Sequence, residues 1–274
     1  MDRDIVNISI TNRLKNAGIE NYIFEAKIIE EHIRKNMLDS VDREDIIRRR
    51  VSREPLQYIL GEWEFYGDVY KLNRDCLIPR PETEFLTEYI IKNAERNSII
   101  IDLCSGSGCV SVSALKRRKD LSAVLIDIAL GAVEISKENA ALNGVSDRVK
   151  SYCLDIKEDF GEIINFIRPR LNKIGMIVSN PPYLTKSDMD MIKAERTELW
   201  HEPDIAFYGG DDGLDFYRFI INNYSKPFNL KTAVEAGIDQ AKDIVKMFEE
   251  IGFSCSIIRD YYKIERVIAG EKKY

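Results

Sequence analysis

Apolar residues recur every three or four positions in the first part of the chain, then switch near residue 98 to short unbroken apolar runs separated by amphipathic stretches. In ENYIFEAKIIEEHIRKNM, Ile23, Ala26, Ile29, Ile33 and Met37 fall on one face of a helix, because 3.6 residues per turn brings such positions together. A second helix is predicted to open at Asp42, an N-cap type residue with Asp45 three positions on, and to run through Ile46, Ile47 and Val51. The run Arg48, Arg49, Arg50 reads as its solvated face, since Glu44 and Asp45 precede it with opposite charge. In GEWEFYGDVYKLN, two short aromatic and β-branched stretches flank Gly67-Asp68, which is turn chemistry for a two-residue hairpin at about 62–73. Beyond it Pro79 and Pro81 stiffen LIPRPETE, and Phe85, Leu86, Tyr89 and Ile90 start a new helical stripe.

From residue 98 the pattern is strand then helix, repeated. SIIIDLC, SAVLIDI, RVKSYCLDI and KIGMIVSNPPY are predicted strands, with helices over 109–119 and 131–143 between the first three. TAVEAG and FSCSIIRD bracket the helical DQAKDIVKMFEEIG, and ERVIAG follows as a last strand. Such alternation predicts an α/β, doubly wound, mostly parallel sheet with helices on both faces, whose ligand sits beyond the carboxyl ends of the strands. The chain then divides into a helical domain at 1–60, a β-hairpin linker at 61–75 and a strand-helix domain at 76–274.

Composition removes several classes of function. A chain of 274 residues with 45% hydrophobic content can bury a full core and a smaller second one. It has no apolar run near the roughly 20 residues of a membrane span, and MDRDIVNISI lacks the layout of a signal peptide, so a cytoplasmic protein without a membrane partner is expected. The five cysteines form no C-x-x-C pair and only His32 and His201 are present, so no metal site is expected. Cys104 and Cys109 flank a glycine turn; buried, unreactive thiols are the plainer reading of them. A net charge of -6 opposes direct nucleic-acid binding, which needs clustered Lys and Arg, and favours a protein partner or small substrate.

Four stretches carry candidate chemistry, all at strand ends. Ile101-Asp102-Leu103-Cys104-Ser105-Gly106-Ser107-Gly108 leaves a strand through small residues, letting backbone approach a ligand, although a purely structural tight turn would look similar. Asp127 ends the second strand about twenty residues on, where a carboxylate accepts hydrogen bonds from both ribose hydroxyls of an adenosine ligand; the alternative is a cap on the next helix. Asp155 closes the third strand and could meet an adenine amino group or serve only as a turn residue. Asn180-Pro181-Pro182-Tyr183 is the most informative, because two prolines at the end of a buried strand serve sheet pairing badly. Pro181 offers a carbonyl with no N–H beside it, and Asn180 adds a side-chain acceptor. An NH2 group held between those two oxygens has both hydrogens directed and its nitrogen aimed away, while Tyr183 can pack on a planar substrate.

Asn-Pro-Pro-Tyr after a glycine turn resembles the class I methyltransferases that act on amide or exocyclic amine nitrogens. EPLQYILGEWEFYG, LIPRPETE, SNPPY, HEPDIAFYGGDDGLDFYR and VEAGIDQA, in that order, resemble the peptide chain release factor N(5)-glutamine methyltransferases from about residue 54 onward. The resemblance implies a seven-stranded methyltransferase sheet, S-adenosylmethionine as methyl donor, and transfer to the glutamine of a release factor's Gly-Gly-Gln loop. It also implies cofactor contacts at Cys104, Ser105, Gly106, Ser107, Gly108, Asp127, Asp155, Ile156 and Asn180. Substrate contacts are implied from Asn180 through Pro181 and Pro182 to Tyr183, whose ring can favour a sulfonium charge. A monomer that recognises a release factor is expected. Cys104-Ser105 departs from a commoner Gly-Thr, Ala129 from a helix-capping Ser, and Tyr262-Lys263-Ile264-Glu265 from a glycine-containing turn. An N6-adenine methyltransferase acting on DNA or RNA would use the same four residues on a flipped base, but the acidic balance and the lack of a long insertion oppose it.

Overall fold

In the computed structural model, residues 8–195 and 197–272 are described. Helices α1 (Ile8–Asn16), α2 (Tyr22–Lys35), α3 (Ser40–Val51) and α4 (Leu56–Leu60) close around Ile10, Leu14, Ala26, Ile29, Ile33, Ile46 and Ile47. The α2 stripe is shorter than its spacing implied. Ile23 is 51% and Met37 90% exposed, because Met37 has left the helix in a left-handed conformation. Helix α3 opens at Asp39 rather than Asp42. Asp39 has the extended backbone of an N-cap and accepts the Val41 and Asp42 N–H groups at 2.8 and 2.9 Å, which leaves Asp42 in the first turn, where its charge suits the helix dipole.

Arg50 overturns the solvated reading of the arginine run. It is only 5% exposed, because it follows Ile46 by four residues and Ile47 by three and so shares their core-facing side. Its guanidinium grips Glu25 at 2.5 and 3.0 Å and reaches Glu198 at 3.4 Å, tying the helical region to the far half of the chain. Arg48 and Arg49 pair more openly with Asp45 and Glu54.

The hairpin consists of β1 (Glu62–Phe65) and β2 (Asp68–Lys71), with Phe65 opposite Asp68. Its loop is therefore Tyr66-Gly67, one residue earlier than Gly67-Asp68. Both loop residues have positive φ, as a type I′ turn requires, and Asp68 starts the return strand instead, where Lys116 and Arg117 hold its carboxylate. A short 3-10 turn (Pro81–Thr83) leads into α5 (Glu84–Asn93), whose Leu86 and Ile90 are buried.

The remaining elements are β3 (Ile99–Leu103), α6 (Cys109–Arg117), β4 (Ser122–Asp127), α7 (Leu130–Leu142), β5 (Val149–Cys153), α8 (Phe160–Ile167), β6 (Ile174–Ser179) and α9 (Lys186–Glu195). They are followed by α10 (Asp215–Ile220), α11 (Lys226–Phe228), β7 (Thr232–Glu235), α12 (Ala241–Glu250), β8 (Ser254–Arg259) and β9 (Glu265–Glu271). The seven strands run in the order β5-β4-β3-β6-β7-β9-β8, parallel except for β9, which is antiparallel to both its neighbours. This is the doubly wound, mostly parallel sheet expected from the alternation, with the seven strands that the resemblance implied. One apolar layer gathers Leu86, Ile90, Val112 and Leu115 against one face, and another sets Ile163, Ile167 and Ile220 against the other. The chain winds outward from β3 to β5 and then returns to place β6 on the other side of β3, so the order reverses there and opens a crevice at the carboxyl ends.

Two local devices complete the frame. Fully buried Asn139 in α7 bonds both the N–H and the carbonyl of Lys71 and also the Ser107 carbonyl, docking the hairpin against the glycine turn. Between β8 and β9, Lys263 takes the left-handed conformation of the missing glycine, and the Asp260 carboxylate accepts from Tyr262 N, Ile264 N and Arg266 Nε. The departure at that turn thus leaves the hairpin intact. No helix among the described residues is long and apolar enough to cross a membrane.

Replacing Arg50 by Ala leaves Glu25 without its cation in a largely buried place, and loss of one partner of a buried pair costs about 3 to 5 kcal/mol. The expected outcome is a drop of that size in unfolding free energy, measured by urea denaturation; a change under 1 kcal/mol would show that Glu25 is rescued by water.

Candidate active site

The crevice is built by the carboxyl ends of β3, β4, β5 and β6. At the end of β3 the chain turns back sharply: Ser105 N donates to Ile126 O at 3.0 Å, and Gly108 N to Ser105 O at 2.8 Å. Cys104 sits in this turn with φ +59°, a left-handed conformation that costs a non-glycine residue about 1 kcal/mol or more and accounts for the commoner glycine there. Gly108 caps α6 at φ +75°. A Cβ there would lie 2.7 Å from Leu125 Cδ2, so the close packing of α6 on β4 requires glycine.

A cleft of about 250 Å³ lies above this turn, and Cys104, Ser105, Gly106, Ser107, Asp127, Asp155, Ile156, Asn180 and Pro182 all line it. Gly108, Pro181 and Tyr183 do not. Asp127 presents its carboxylate at the end of β4, with Oδ2 accepting from Gly106 N at 2.7 Å and Oδ1 from Ala129 N at 3.0 Å. Burial raises its pKa, while those two N–H groups act in the opposite direction. The N-cap position of α7 belongs to Ala129, which makes no side-chain cap, so Asp127 steadies the turn without being the cap residue. Asp155 Oδ1 accepts from Lys157 N at 2.7 Å and Glu158 N at 3.3 Å, the bonding of a turn residue, while still facing the cleft. The Ser105 and Ser107 hydroxyls are buried and have no hydrogen-bond partner among the described residues. Burial pushes both flanking thiols up, Cys109 to about 12, so they stay protonated and unreactive.

A second cavity, of about 640 Å³, adjoins the first and shares Leu77, Arg80, Asn180 and Ala206 with it. Asn180 is thus at the junction. Its Nδ2 donates to Thr83 Oγ1 at 3.2 Å, which commits the donor end of the amide to the protein. Tyr183 lines the second cavity only, and its carbonyl accepts from Gln240 Nε2 at 2.9 Å. Gln240 also reaches Gly213 O and accepts from Gly237 N, so one side chain joins three loops at the tetrapeptide. The GGDDG loop packs so closely that a Cβ on Gly209 would lie 2.6 Å from Tyr183 Cα, and one on Gly213 2.4 Å from Tyr183 O. Arg80 is held by Glu202 at 2.5 Å, and the same carboxylate accepts from Ile78 N.

Three positioning groups were not singled out from the sequence. Thr83 lies inside LIPRPETE between Glu82 and Glu84, of which Glu84 accepts from Tyr66 N and serves the hairpin. Glu235 ends β7, 2% exposed, with Oε2 unpartnered. Gln240 was legible only as part of VEAGIDQA. Among the described residues no three His, Cys, Asp or Glu side chains are grouped to hold a metal ion. The arrangement offers a ribose-competent carboxylate and free hydroxyls in one cavity, and an oriented acceptor where that cavity meets a larger one.

The family model for the Methyltransferase small domain matches residues 81–199. A release factor glutamine methyltransferase of Geobacter sulfurreducens is 35% identical over 229 residues, covering 82% of this chain and 76% of that protein. One from Fusobacterium nucleatum is 34% identical, covering 98% and 78%. Among solved structures, the hMettl16 catalytic domain in complex with MAT2A 3′UTR hairpin 6 aligns with a TM-score of 0.60 over 84% of this chain and 83% of that one; at 13% identity this shows the fold alone.

Asp102, which also lines the cleft, supplies a test of its electrostatics. Burial lifts its pKa to about 7 despite the Ser111 hydroxyl donating to it at 2.6 Å. A carboxyl whose folded pKa is raised contributes stability that is complete below its unfolded value near 4 and is lost as pH rises through about 7. Asp102→Asn is therefore expected to gain on the wild type by a few kcal/mol between pH 4 and pH 8, at about 1.4 kcal/mol per pKa unit. Urea midpoints across that range check this; a constant difference would show that Asp102 is ionised throughout.

Proposed function

The chain belongs to the release factor glutamine methyltransferase family, and on that premise we propose how its two cavities divide the family's reaction, transfer of a methyl group from S-adenosylmethionine to the side-chain nitrogen of a release factor glutamine. The first cavity suits the cofactor. Unpartnered Ser105 and Ser107 hydroxyls lie where polar ligand atoms could satisfy them, and Asp127 keeps lone pairs for two ribose hydroxyls. Cys104 to Ser107, Asp127, Asp155 and Ile156 would hold it, with Gly108 shaping the turn beneath and Asn180 at the reactive end. When bound, S-adenosylmethionine supplies an electrophilic methyl on a sulfonium.

The second cavity takes the substrate glutamine. The observation that carries this reading is Asn180 at the junction, its Nδ2 engaged by Thr83 and its Oδ1 left to accept. Amide nitrogen is a poor nucleophile because its lone pair is delocalised, so orientation must supply much of the rate. We assign one amide hydrogen to Asn180 Oδ1 and the other to the Pro181 carbonyl, although Pro181 lines neither cavity, so that the nitrogen points toward the first cavity. Pro182 lines the first cavity, and Tyr183, which lines the second, packs on the amide plane. Transfer replaces one N–H by N–CH3, and the displaced proton leaves after the new bond forms. Glu82 and Glu84 need play no part.

Residues 1–60 form the release factor recognition domain, 61–75 the linker and 76–274 the catalytic domain. The helical region stands outside the strand-helix alternation that builds the cofactor cavity, and Arg50 links it to Glu198 beside the substrate cavity. The working unit is a cytoplasmic monomer that touches protein substrate and no nucleic acid, in keeping with its net charge of -6.

The test is mass spectrometry of a release factor incubated with the enzyme and cofactor, expecting one methyl on the glutamine of its Gly-Gly-Gln loop; methylation of DNA adenine instead would overturn the substrate assignment. Asn180→Ala is expected to lower single-turnover rate by roughly 10² to 10³ with cofactor affinity largely kept, by analogy with deletion of one positioned hydrogen-bonding group. Asp127→Ala is expected to do the reverse, weakening cofactor binding by about 1.5 to 3 kcal/mol in calorimetry.

A further inference from the structure

An asparagine amide is nearly symmetric in shape, and turning it over exchanges its acceptor for its donor. A reversed Asn180 would aim NH2 at the NH2 of the substrate, so something must fix which end faces the cavity. Thr83 Oγ1 accepts from Nδ2, but a hydroxyl can equally donate its own hydrogen to an amide oxygen. Its acceptor role is secured only when that hydrogen is committed elsewhere.

Glu235 supplies the commitment. It ends β7 close to Thr83, whose hydroxyl favours ionisation of its carboxyl, and the two residues are 2% and 3% exposed, so neither is open to bulk water. Among the described residues its Oε2 has no partner, an expensive state for a buried group and one that packing alone does not explain. We propose that Glu235 and Thr83 form a relay that fixes the Asn180 amide with its oxygen toward the substrate, making both of them positioning residues for methyl transfer. An ionised Glu235 can only accept, so the Thr83 hydrogen turns to it and the lone pair is left for Asn180. A protonated Glu235 can donate to Thr83, freeing the hydroxyl hydrogen to meet the Asn180 oxygen, and the preference is lost.

The charges facing Glu235 come from several elements. Arg266 in β9 and Arg80 before α5 favour ionisation, Glu82 opposes it, and the Tyr183 and Tyr217 hydroxyls lie close by. Burial outweighs them all and places the carboxyl at about 7, inside the range where the enzyme can be assayed. The relay therefore weakens as pH falls from 8 to 6.

This inference rests on the reading of Asn180 as the acceptor for the substrate amide. Single-turnover methylation of a release factor, with cofactor affinity and melting temperature as controls, tests it. Thr83→Val keeps the volume and removes the hydroxyl; the turnover rate is expected to fall about tenfold or more, with cofactor affinity and KM for the release factor within about threefold. Thr83→Ser, which restores the hydroxyl, is expected to recover the rate to within about threefold of wild type. The wild-type rate should decline from pH 8 to pH 6, and Glu235→Gln should be slower but flat over that range. A wild-type rate in Thr83→Val, a Thr83→Ser as slow as Thr83→Val, or an unchanged acid limb in Glu235→Gln would each overturn the relay. Asn180→Ala, measured alongside, separates the two ideas: if it alone is slow, the relay fails and the acceptor reading stands; if it transfers methyl at the wild-type rate, both fail.

Discussion

Because β3 pairs in parallel with β4 on one side and β6 on the other, its carboxyl end lies between chain segments that leave toward opposite faces of the sheet. Neither segment can cover the gap, and the backbone groups exposed there must be satisfied by turns rather than by a further strand. The glycine turn and Asn180 are the first residues past a strand end and Asp127 is the last of its strand, so one pairing pattern brings them together. Ser179 strengthens the junction by donating to Leu103 O at 2.6 Å across the two strands that flank the crevice.

That crevice would be loose without a shell of buried polar contacts around the tetrapeptide. Prolines cannot donate to a sheet, so the segment from Asn180 to Tyr183 leaves β6 and is held from outside. Gln240 fastens the Tyr183 carbonyl, Glu202 fastens Arg80, and Asp260 orients Arg266 at the rim of the larger cavity. The first two join residues distant in sequence. Glu202 lies only four residues past Glu198, so one short segment carries both the ion pair to Arg50 in the helical region and the ion pair to Arg80 at the cavity junction. Such pairs add little net stability but fix geometry, because breaking one leaves a buried charge behind.

Asp102 and Glu235 show what this density costs. Both are buried carboxyls at strand ends, both are pushed to about 7 by burial, and neither has a cation within a hydrogen bond among the described residues. A protein selected for stability alone would place neutral groups there. Asp102 has the Ser111 hydroxyl and Glu235 has Thr83, so each carboxyl is coupled to one hydroxyl close to the cleft.

The alternation of apolar runs and amphipathic stretches was enough for the doubly wound sheet, and the residue types at 104–108, 127, 155 and 180–183 were enough to locate the cleft, because period and strand-end chemistry are local properties of a chain. Local signals erred by a residue or a turn where several candidates competed, as with Asp39 over Asp42 and Tyr66-Gly67 over Gly67-Asp68; the winner was the residue whose backbone the neighbouring packing allowed. The run of arginines could not announce that Arg50 faces Glu25 and Glu198, since burial depends on what another part of the chain brings to that face. The same holds for Thr83, Glu235 and Gln240, three ordinary residues in sequence. Their hydrogen bonds span gaps of 97 residues from Thr83 to Asn180 and 57 from Tyr183 to Gln240, and contacts of that length exist only once the sheet has set its strand order.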